Sequence, residues 1–391
     1  MQLASSLSNV CLHRILRHGC FSMLWSRYGL AQRFCSTHSL VEMTEEKEKE
    51  YVAMLKDLYL TGSIGHQVLI IQPRIKHGTD RVTKDAPLIK LAEAVALVET
   101  LPKWRVAAQI ILSVSKSTKK KQIFGSGQLE NLSDFLQRHP TVTAVFINID
   151  ILSGHQHSEI ASIFRLPVYD RYNIVLHIFK AYAKTKEAQL QISLAEIPYL
   201  RSRLSGMRLN EYGVLEPSGG AENTGRKGES YQERKKRLLQ ERELLIKRKL
   251  EQVKRQRTIA RESRVQKYPY PVVAVLGYTN AGKTSLIKAL TQDTSLIPLN
   301  RLFATLDVTT HPGTLPSKLT ALYVDTIGFI SDLPHHLVAS FSATLQDIQH
   351  AHVLVHVLDV SNPDCEAQKA TVLKTLKSLD LPKDLLNSMV E

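Results

Sequence analysis

Residues 277–284 read Gly277-Tyr278-Thr279-Asn280-Ala281-Gly282-Lys283-Thr284, which is the pattern G-x-x-x-x-G-K-T. An apolar run (272–276) leads into this stretch and a helix-like run (285–290) leaves it, as the pattern requires. Glycine lets backbone N–H groups turn inward onto phosphate oxygens, and the helix start adds partial positive charge. An ordinary glycine-containing turn does not explain Lys283 and Thr284. The stretch therefore predicts a P-loop, with Lys283 on the β- and γ-phosphates and the Thr284 hydroxyl on Mg²⁺.

A second motif decides which class of nucleotide protein this is. The apolar run 322–324 ends in Asp325-Thr326-Ile327-Gly328, the pattern D-x-x-G. The aspartate can hold Mg²⁺ through water, and the glycine N–H can bond a γ-phosphate and release when it leaves. ATPases typically have the carboxylate without that glycine. The motif therefore favours a GTPase.

A third stretch, Phe303-Ala304-Thr305-Leu306-Asp307, lies between these two motifs. Its threonine can supply a second hydroxyl to Mg²⁺ when the γ-phosphate is present. A β-prone surface segment explains the same residues. From the residues alone, both interpretations of Thr305 stay open.

Several longer stretches match one known family. They are 277–284, 302–307, 325–334, 334–338, 341–345 and 356–361 in the C-terminal half, and 124–128, 169–179 and 189–196 in the N-terminal half. Together they resemble the HflX family of translational GTPases over about residues 65–391. The resemblance implies that GTP and Mg²⁺ bind to residues 277–284, 303–307 and 325–328, with Thr284 and Thr305 as metal ligands. It gives Lys283, Thr305 and Gly328 the catalytic roles and makes the large ribosomal subunit the partner.

The fold predicted from the apolar patterns is α/β, in three parts. Residues 65–172 alternate strands with helices and form an N-terminal α/β domain with a parallel sheet. Residues 173–267 form a long antiparallel helical hairpin with a glycine-containing tip loop, and residues 271–391 form a Ras-like P-loop G domain. The expected strands are 68–71, 107–113, 144–148 and 166–168, and the expected helices are 88–101, 130–136, 158–164, 173–204 and 229–264.

The net charge of +14 is concentrated in two segments. Residues 1–41 hold four Arg and no acidic residue, and residues 226–267 hold 16 Lys or Arg against six Glu, an excess of ten. The first segment is Arg-bearing and Ser-rich, which predicts a mitochondrial transit peptide and a matrix location; a tail without an address is the alternative. The basic helix 229–264 predicts a rod that binds RNA phosphates, here rRNA of the large subunit. A solvated helix face is the alternative.

Three features depart from the patterns of known GTPases. Phe329 follows Gly328, where Ras-like enzymes have a Gln that orients water, so we expect slow intrinsic hydrolysis that a large partner accelerates. The tip stretch Gly225-Arg226-Lys227-Gly228 lacks the family's Gly-Pro spacing. No N-K-x-D follows the P-loop, so these residues do not read guanine. We therefore expect the G domain to be C-terminally incomplete, with strand 353–358 as an unpaired edge.

The remaining sequence features exclude other classes of protein. The sequence contains no apolar run of 18 residues, so it predicts no membrane-spanning helix. Cys11, Cys20 and Cys35 fall in the N-terminal segment, which leaves Cys365 alone and offers no disulfide framework or zinc site. The run 124–127 has no Lys-Ser/Thr and predicts a tight turn, not a phosphate loop. Two alternatives to the GTPase are a non-enzymatic RNA-binding assembly factor with a structural nucleotide site and a P-loop kinase; Asp325 to Gly328 argues against the kinase.

Overall fold

A computed structural model describes residues 45–59, 65–75, 86–114, 122–211, 231–267, 270–306, 308–331, 348–378 and 381–391. The expected transit peptide (1–41), residues 212–228 of the expected tip loop, and Asp307 lie outside these residues, whereas residues 206–211, also expected in that loop, are helical. The described part consists of two α/β regions, each built on a four-stranded sheet, and long helices between them in the sequence.

The N-terminal region is built on a parallel sheet with the strand order β2-β1-β3-β4. Its strands are β1 Gln67–Ile75, β2 Arg105–Val114, β3 Ala144–Ile147 and β4 Val168–Asp170. Its helices are α2 Ala86–Thr100, α3 Ser126–Arg138 and α4 Gly154–Phe164, and the preceding helix α1 is Glu45–Tyr59. The predicted alternation of strands and helices is confirmed, with bounds that differ by a few residues.

Helices cover both faces of this sheet. Leu69 and Ile71 of β1 pack in one apolar cluster with α3 and α4, while α2 contacts β1 and β2. Successive strand residues point to opposite faces, so Val68 to Ile71 are all buried completely. The chain runs from β1 outward to β2 and returns to β3 on the other side of β1. Open α/β sheets bind ligands at such a reversal, beyond the carboxyl ends of the strands.

The helices that follow are α5 Arg171–Tyr182, α6 Lys186–Glu211 and α7 Tyr231–Lys267. The expected unbroken helix over 173–204 is wrong at residues 183–185. Ala183 is extended, with ψ 115°, and the Thr185 hydroxyl accepts the N–H of Ala188 and starts a new helix. Between α6 and α7, Arg257 pairs with Glu187 at 2.7 Å and Arg201 with Glu243 at 2.5 Å.

The C-terminal region has a second sheet, in the order β6-β7-β5-β8, with β6 antiparallel and the others parallel. Its strands are β5 Val272–Gly277, β6 Thr309–Thr314, β7 Thr320–Asp325 and β8 Val353–Val357, and its helices are α8 Lys283–Thr291, α9 Cys365–Lys377 and α10 Lys383–Asn387. The expectation that β8 is an unpaired edge is wrong at one position. Val355 bridges Val390 on the side away from β5, because the His356 N–H and the Leu354 carbonyl both bond Val390.

Gly277 ends β5 in a backbone conformation that few other residues adopt, with φ +152°. A Cβ added there would lie 2.4 Å from the Val357 carbonyl oxygen, and that backbone atom is fixed by the β5–β8 ladder. We expect Gly277→Ala to lower the free energy of unfolding by about 2–5 kcal/mol, through overpacking and φ strain together. Urea unfolding measures this change.

Gly127→Ala is the matched control, because a Cβ at Gly127 in α3 meets nothing within 4 Å. We expect no destabilisation from this control. Equal unfolding free energies for the parent and Gly277→Ala would contradict the close approach of β5 to β8.

Candidate nucleotide-binding site

The predicted P-loop joins β5 to α8, as the sequence indicates. Asn280 and Gly282 have φ of +61° and +90°, so the chain turns through left-handed backbone before α8 begins at Lys283. The Ala281 N–H bonds the Tyr278 carbonyl at 3.3 Å across this turn. The result is a loop at a helix start, a geometry that favours anions.

The Lys283 side chain lies across the loop and contacts its first two residues. Its ammonium donates to the Tyr278 carbonyl at 2.8 Å and to the Gly277 carbonyl at 3.3 Å. The side chain is 6% exposed. Burial lowers the pKa of Lys283 to about 8, while the nearby Asp325 charge opposes that change. The group is therefore a buried cation at neutral pH, and a phosphate is the kind of anion that compensates it.

Thr284, Thr305 and Asp325 converge beside this lysine. Asp325 Oδ2 accepts the hydroxyl of Thr284 at 2.7 Å and that of Thr305 at 3.0 Å, and the two hydroxyl oxygens are 3.0 Å apart. Asp325 is 1% exposed, and its second oxygen, Oδ1, is buried without a hydrogen-bond partner. Three hard oxygen groups and an uncompensated carboxylate oxygen fit Mg²⁺.

The D-x-x-G segment lies against the P-loop through backbone hydrogen bonds. The Thr279 N–H donates to the Phe329 carbonyl at 2.6 Å, and the Phe329 N–H donates to the Gly277 carbonyl at 3.1 Å. A Cβ on Gly328 would lie 2.6 Å from Thr279 Cα and 3.1 Å from Lys283 Nζ. Only glycine fits between the loop and the ammonium. Thr326 is fixed to strand β5, because its hydroxyl donates to the Val275 carbonyl at 2.7 Å.

The side chain of Phe329 is buried at 4% exposure. It contributes packing here and carries no group that could polarise water. The side chain that follows Gly328 therefore cannot bind or orient a water molecule.

Among the described residues of the stretch 303–307, which are 303–306, Thr305 alone brings a polar side chain to the site. The Phe303 N–H donates to the Thr279 hydroxyl at 2.7 Å, but its ring is buried edge-to-face against Phe179 of α5 at 4.8 Å. Leu306 is also buried, and no polar contact involves the side chain of Ala304. Phe303 has φ +52°, a strained conformation for a bulky residue.

Sequence reasoning missed the residues of the N-terminal region that touch this site. Glu93 of α2 accepts the Tyr278 hydroxyl, and Arg171 at the start of α5 donates to the Ser331 carbonyl. Arg301 lies over the Tyr182 ring, with its guanidinium carbon 3.9 Å from the ring centroid. The only signal was the matched run 169–179, which contains Arg171 and Phe179.

The basic helix α7 is partly neutralised by neighbouring acidic residues. Arg242 and Arg234 pair with Glu48 and Glu50 of α1, at 2.5 and 3.0 Å. Lys47 of α1 pairs in turn with Glu241 of α7. Other basic residues of α7 stay exposed and form no ion pair with any residue that the structure describes; these are Lys236, Arg248 and Lys249. The exposed positive charge of α7 is therefore smaller than its composition indicates.

The described residues contain neither a multi-residue metal cluster nor a membrane-spanning helix. Within the ranges given above, no group of three or more His, Cys, Asp or Glu side chains could hold a metal ion. No helix in the described part of the chain is both long and apolar enough to span a bilayer.

Three family descriptions match consecutive parts of the chain. Residues 89–180 match "GTP-binding GTPase N-terminal", residues 182–264 match "GTP-binding GTPase Middle Region" and residues 272–387 match "50S ribosome-binding GTPase".

Individual relatives agree with these descriptions. The chain is 46% identical over 354 residues to "Putative GTP-binding protein 6" of Xenopus laevis, which covers 89% of the chain and 65% of that relative. It is 42% identical to "Putative GTP-binding protein 6" of Homo sapiens, covering 90% of the chain and 66% of the relative. It is 37% identical to "GTPase HflX" of Magnetococcus marinus, covering 77% of the chain and 68% of the relative. The chain thus spans slightly less than two thirds of the first two proteins.

Proposed function

The chain belongs to the HflX family of GTPases, and we propose that it binds and hydrolyses GTP with Mg²⁺ and acts on the large subunit of the mitochondrial ribosome. The action on the subunit is splitting and recycling, or late assembly. One observation carries the proposal: Lys283, Thr284, Thr305 and Asp325 converge beside the P-loop, with one carboxylate oxygen left uncompensated.

The proposed roles follow from these contacts. Lys283 and the loop amides neutralise the phosphates, and the Gly328 amide senses the γ-phosphate. Thr284 and Thr305 would hold Mg²⁺, with Asp325 acting through water. Bound there, the ion supplies positive charge against the developing charge of the transferred phosphate. The stretches 277–284, 303–307 and 325–328 make up the proposed nucleotide-binding set.

We propose that intrinsic turnover is slow and that the ribosomal partner accelerates it. Phe329 cannot orient the attacking water, so that function has to come from elsewhere. The description "50S ribosome-binding GTPase", matched over residues 272–387, supports a large ribosomal subunit as the source.

The proposed rRNA contact is a helical hairpin formed by residues 173–267, between an N-terminal domain (65–172) and the G domain (271–391). The pairs Glu187–Arg257 and Arg201–Glu243 support an antiparallel arrangement, because the residue number rises along α6 while it falls along α7. Among the described side chains of α7, the exposed cations without an ion pair are Lys236, Arg248 and Lys249, which makes them available to phosphates.

Two contacts support communication between the nucleotide and this hairpin. Phe303 packs on Phe179, and Arg301 lies over Tyr182, so the segment that carries Thr305 lies on α5. Helix α5 leads directly into α6, with only residues 183–185 between them. A shift of Thr305 toward Mg²⁺ would therefore be felt at the base of the hairpin.

We expect the double variant Arg248→Ala/Lys249→Ala to weaken binding to large ribosomal subunits and to reduce its dependence on salt. Each cation that leaves a phosphate lowers the slope of log K against log salt by roughly 0.7–0.9. Sedimentation at several KCl concentrations measures that slope. Arg138→Ala, an exposed arginine at the end of α3, is the matched control and should leave the slope unchanged. An unchanged slope for the double variant would assign α7 to a solvated surface instead.

The mitochondrial location rests on the Arg-bearing residues 1–41. A fusion of these residues to a fluorescent protein should enter the matrix, and replacement of Arg14, Arg17, Arg27 and Arg33 by Ala should prevent import. A fusion that stays outside mitochondria would remove this part of the proposal.

GTP turnover with and without purified large subunits tests the proposal against its rival, the non-catalytic RNA-binding assembly factor. The GTPase predicts slow turnover alone and at least about tenfold stimulation by the subunits, because the missing water-orienting group comes from the partner. Absence of stimulation would favour the rival. Competition between GTP and ATP for the free protein is the second readout, and equal affinity would contradict the GTP assignment.

A further inference from the structure

A polar cluster with two buried members, Tyr278 and Arg171, joins the P-loop to the N-terminal region outside the phosphate site. We call it the Tyr278 cluster; it comprises Glu93, Asn148, Arg171, Tyr278 and Ser331. Two of these residues come from the nucleotide motifs or their vicinity: Tyr278 belongs to the P-loop, and Ser331 follows Gly328 by three positions. The other three come from the carboxyl edge of the N-terminal sheet and from helix α2.

Tyr278 is the centre of the cluster. Its hydroxyl donates to Glu93 Oε1 at 2.7 Å, accepts the Ser331 N–H at 2.8 Å and lies 2.8 Å from the Ser331 hydroxyl. The side chain is 7% exposed. Burial and then the Glu93 charge raise the pKa of Tyr278, so the hydroxyl keeps the proton that it donates. One phenol therefore ties the P-loop, the D-x-x-G segment and α2 together.

Arg171 reaches the same point from α5. Its Nη2 is 3.0 Å from Glu93 Oε1 and 3.0 Å from the Ser331 carbonyl oxygen, and its Nη1 is 3.3 Å from Asn148 Oδ1. The guanidinium is buried, so it depends on these partners for compensation. Asn148 is fixed in turn by Gln72 of β1, whose side-chain oxygen accepts its N–H at 2.6 Å.

The position of Arg171 explains a motif that the nucleotide site does not use. Asp170, the preceding residue, accepts the N–H of Asn173 and pairs with Arg203 at 2.7 Å, which fixes the start of α5. Arg171 is the first residue of that helix. It therefore leaves a rigid element at the carboxyl edge of the sheet and points at the C-terminal region.

The cluster also lies at the end of the hydrogen-bond ladder that holds Gly328. The ladder runs from Gly277 and Thr279 to Phe329, and the cluster secures Ser331 two residues later. Gly328 is thus held on its carboxyl side by contacts that the N-terminal region supplies. A small displacement of a group that contacts the reacting phosphate costs on the order of 10²-fold in rate, so this support matters.

We propose that Arg171 and Glu93 are positioning residues for the Gly328 amide, acting through Tyr278 and Ser331. The inference rests on the proposed function, in which Gly328 senses the γ-phosphate. It assigns the N-terminal α/β domain a part in telling GTP from GDP, because only GTP presents a γ-phosphate to that amide.

A test of this role has to separate positioning from a merely structural contact. A structural defect lowers the affinity for GDP and for a non-hydrolysable GTP analogue together. A positioning defect lowers the affinity for the analogue and the single-turnover hydrolysis rate, while GDP affinity stays the same.

The variants are Tyr278→Phe, which removes only the hydroxyl, and Arg171→Lys, which keeps the charge but loses the forked geometry. Arg171→Ala serves as a third variant if it folds. Tyr323→Phe in β7 is the matched control, because Tyr323 is a buried tyrosine of the same sheet that lies outside the cluster. Thermal unfolding of each variant checks the fold.

For Arg171→Lys we expect roughly tenfold weaker binding of the analogue, GDP affinity within about twofold of the parent, and roughly tenfold slower single-turnover hydrolysis. Tyr278→Phe should slow single-turnover hydrolysis to a similar extent. The double variant Tyr278→Phe/Arg171→Lys should lose no more analogue affinity or hydrolysis rate than the more strongly affected single variant, because both residues act through Ser331. Equal losses for both nucleotides, or no loss for either, would overturn the proposal.

Amide hydrogen exchange at Phe329 and Ser331 provides a readout that needs no nucleotide. Loss of the cluster should speed exchange at these two amides in Tyr278→Phe and leave them unchanged in Tyr323→Phe. A parent that binds neither nucleotide would refute the proposed function. Unchanged exchange in Tyr278→Phe would refute the cluster's hold on the segment, whatever the parent binds.

Discussion

Lys283→Ala should bind GTP roughly 30-fold to 5,000-fold more weakly than the parent, since truncating one partner of a buried charge pair costs about 2–5 kcal/mol. In the parent, the Gly277 and Tyr278 carbonyls hold the ammonium across the loop, which orients it toward a phosphate bound there. No other described side chain supplies a cation at that point. Titration with a fluorescent GTP analogue measures the loss.

Lys288→Ala is the matched control, because Lys288 lies on the same helix α8 one turn and a residue further on. It should leave the dissociation constant unchanged. The Lys283→Ala variant should still fold, because it removes a buried charge whose desolvation is unfavourable. A folded Lys283→Ala protein that holds nucleotide as tightly as the parent would show that the P-loop is not the binding site.

Asp325→Asn should abolish the dependence of GTP binding on Mg²⁺. The carboxylate organises two hydroxyls through Oδ2, and Oδ1 is buried without a partner. An amide keeps the shape but removes the charge that attracts the cation. We expect chelation of Mg²⁺ to weaken binding of the GTP analogue by roughly tenfold to 100-fold in the parent and by less than about twofold in the variant.

Asp384→Asn is the control for this experiment, because Asp384 is an exposed carboxylate on α10 of the same region. It should respond to chelation as the parent does. A parent protein whose binding is indifferent to Mg²⁺, or an Asp325→Asn variant that keeps the full response, would contradict the metal assignment.

The residues proposed to bind nucleotide could be picked out because their chemistry is local in sequence. The G-x-x-x-x-G-K-T stretch sets both the turn and the residue types, so Lys283 and Thr284 could be placed without a structure. Thr305 and Asp325 come from separate stretches, and only the family pattern linked them. The structure brings their side chains together at 3.0 Å.

The contacts between the two α/β regions were not predictable in the same way. Tyr278 and Glu93 are 185 residues apart, and no periodicity relates a P-loop position to a helix of the other region. Phe303 was grouped with the nucleotide-binding residues because of its neighbours. Its ring instead packs on Phe179, since a large apolar side chain is stabilised by burial between elements.

The predicted helix boundaries were wrong where a helix cap interrupts a continuous apolar pattern. The apolar spacing continues from α5 into α6, but Thr185 caps the second helix and Ala183 leaves the first. The charge of α7 was overestimated for a related reason. Composition counts every basic residue of the helix, whereas the structure pairs Arg234 and Arg242 with glutamates of α1.

Co-sedimentation with purified mitochondrial large ribosomal subunits tests the central claim most directly, because it asks whether nucleotide at Lys283 controls the ribosome contact. With a non-hydrolysable GTP analogue, the chain should pellet with the subunits, and with GDP it should stay largely in the supernatant. Lys283→Ala should pellet equally under both conditions. Equal pelleting of the parent with the analogue, with GDP and without nucleotide would contradict the account.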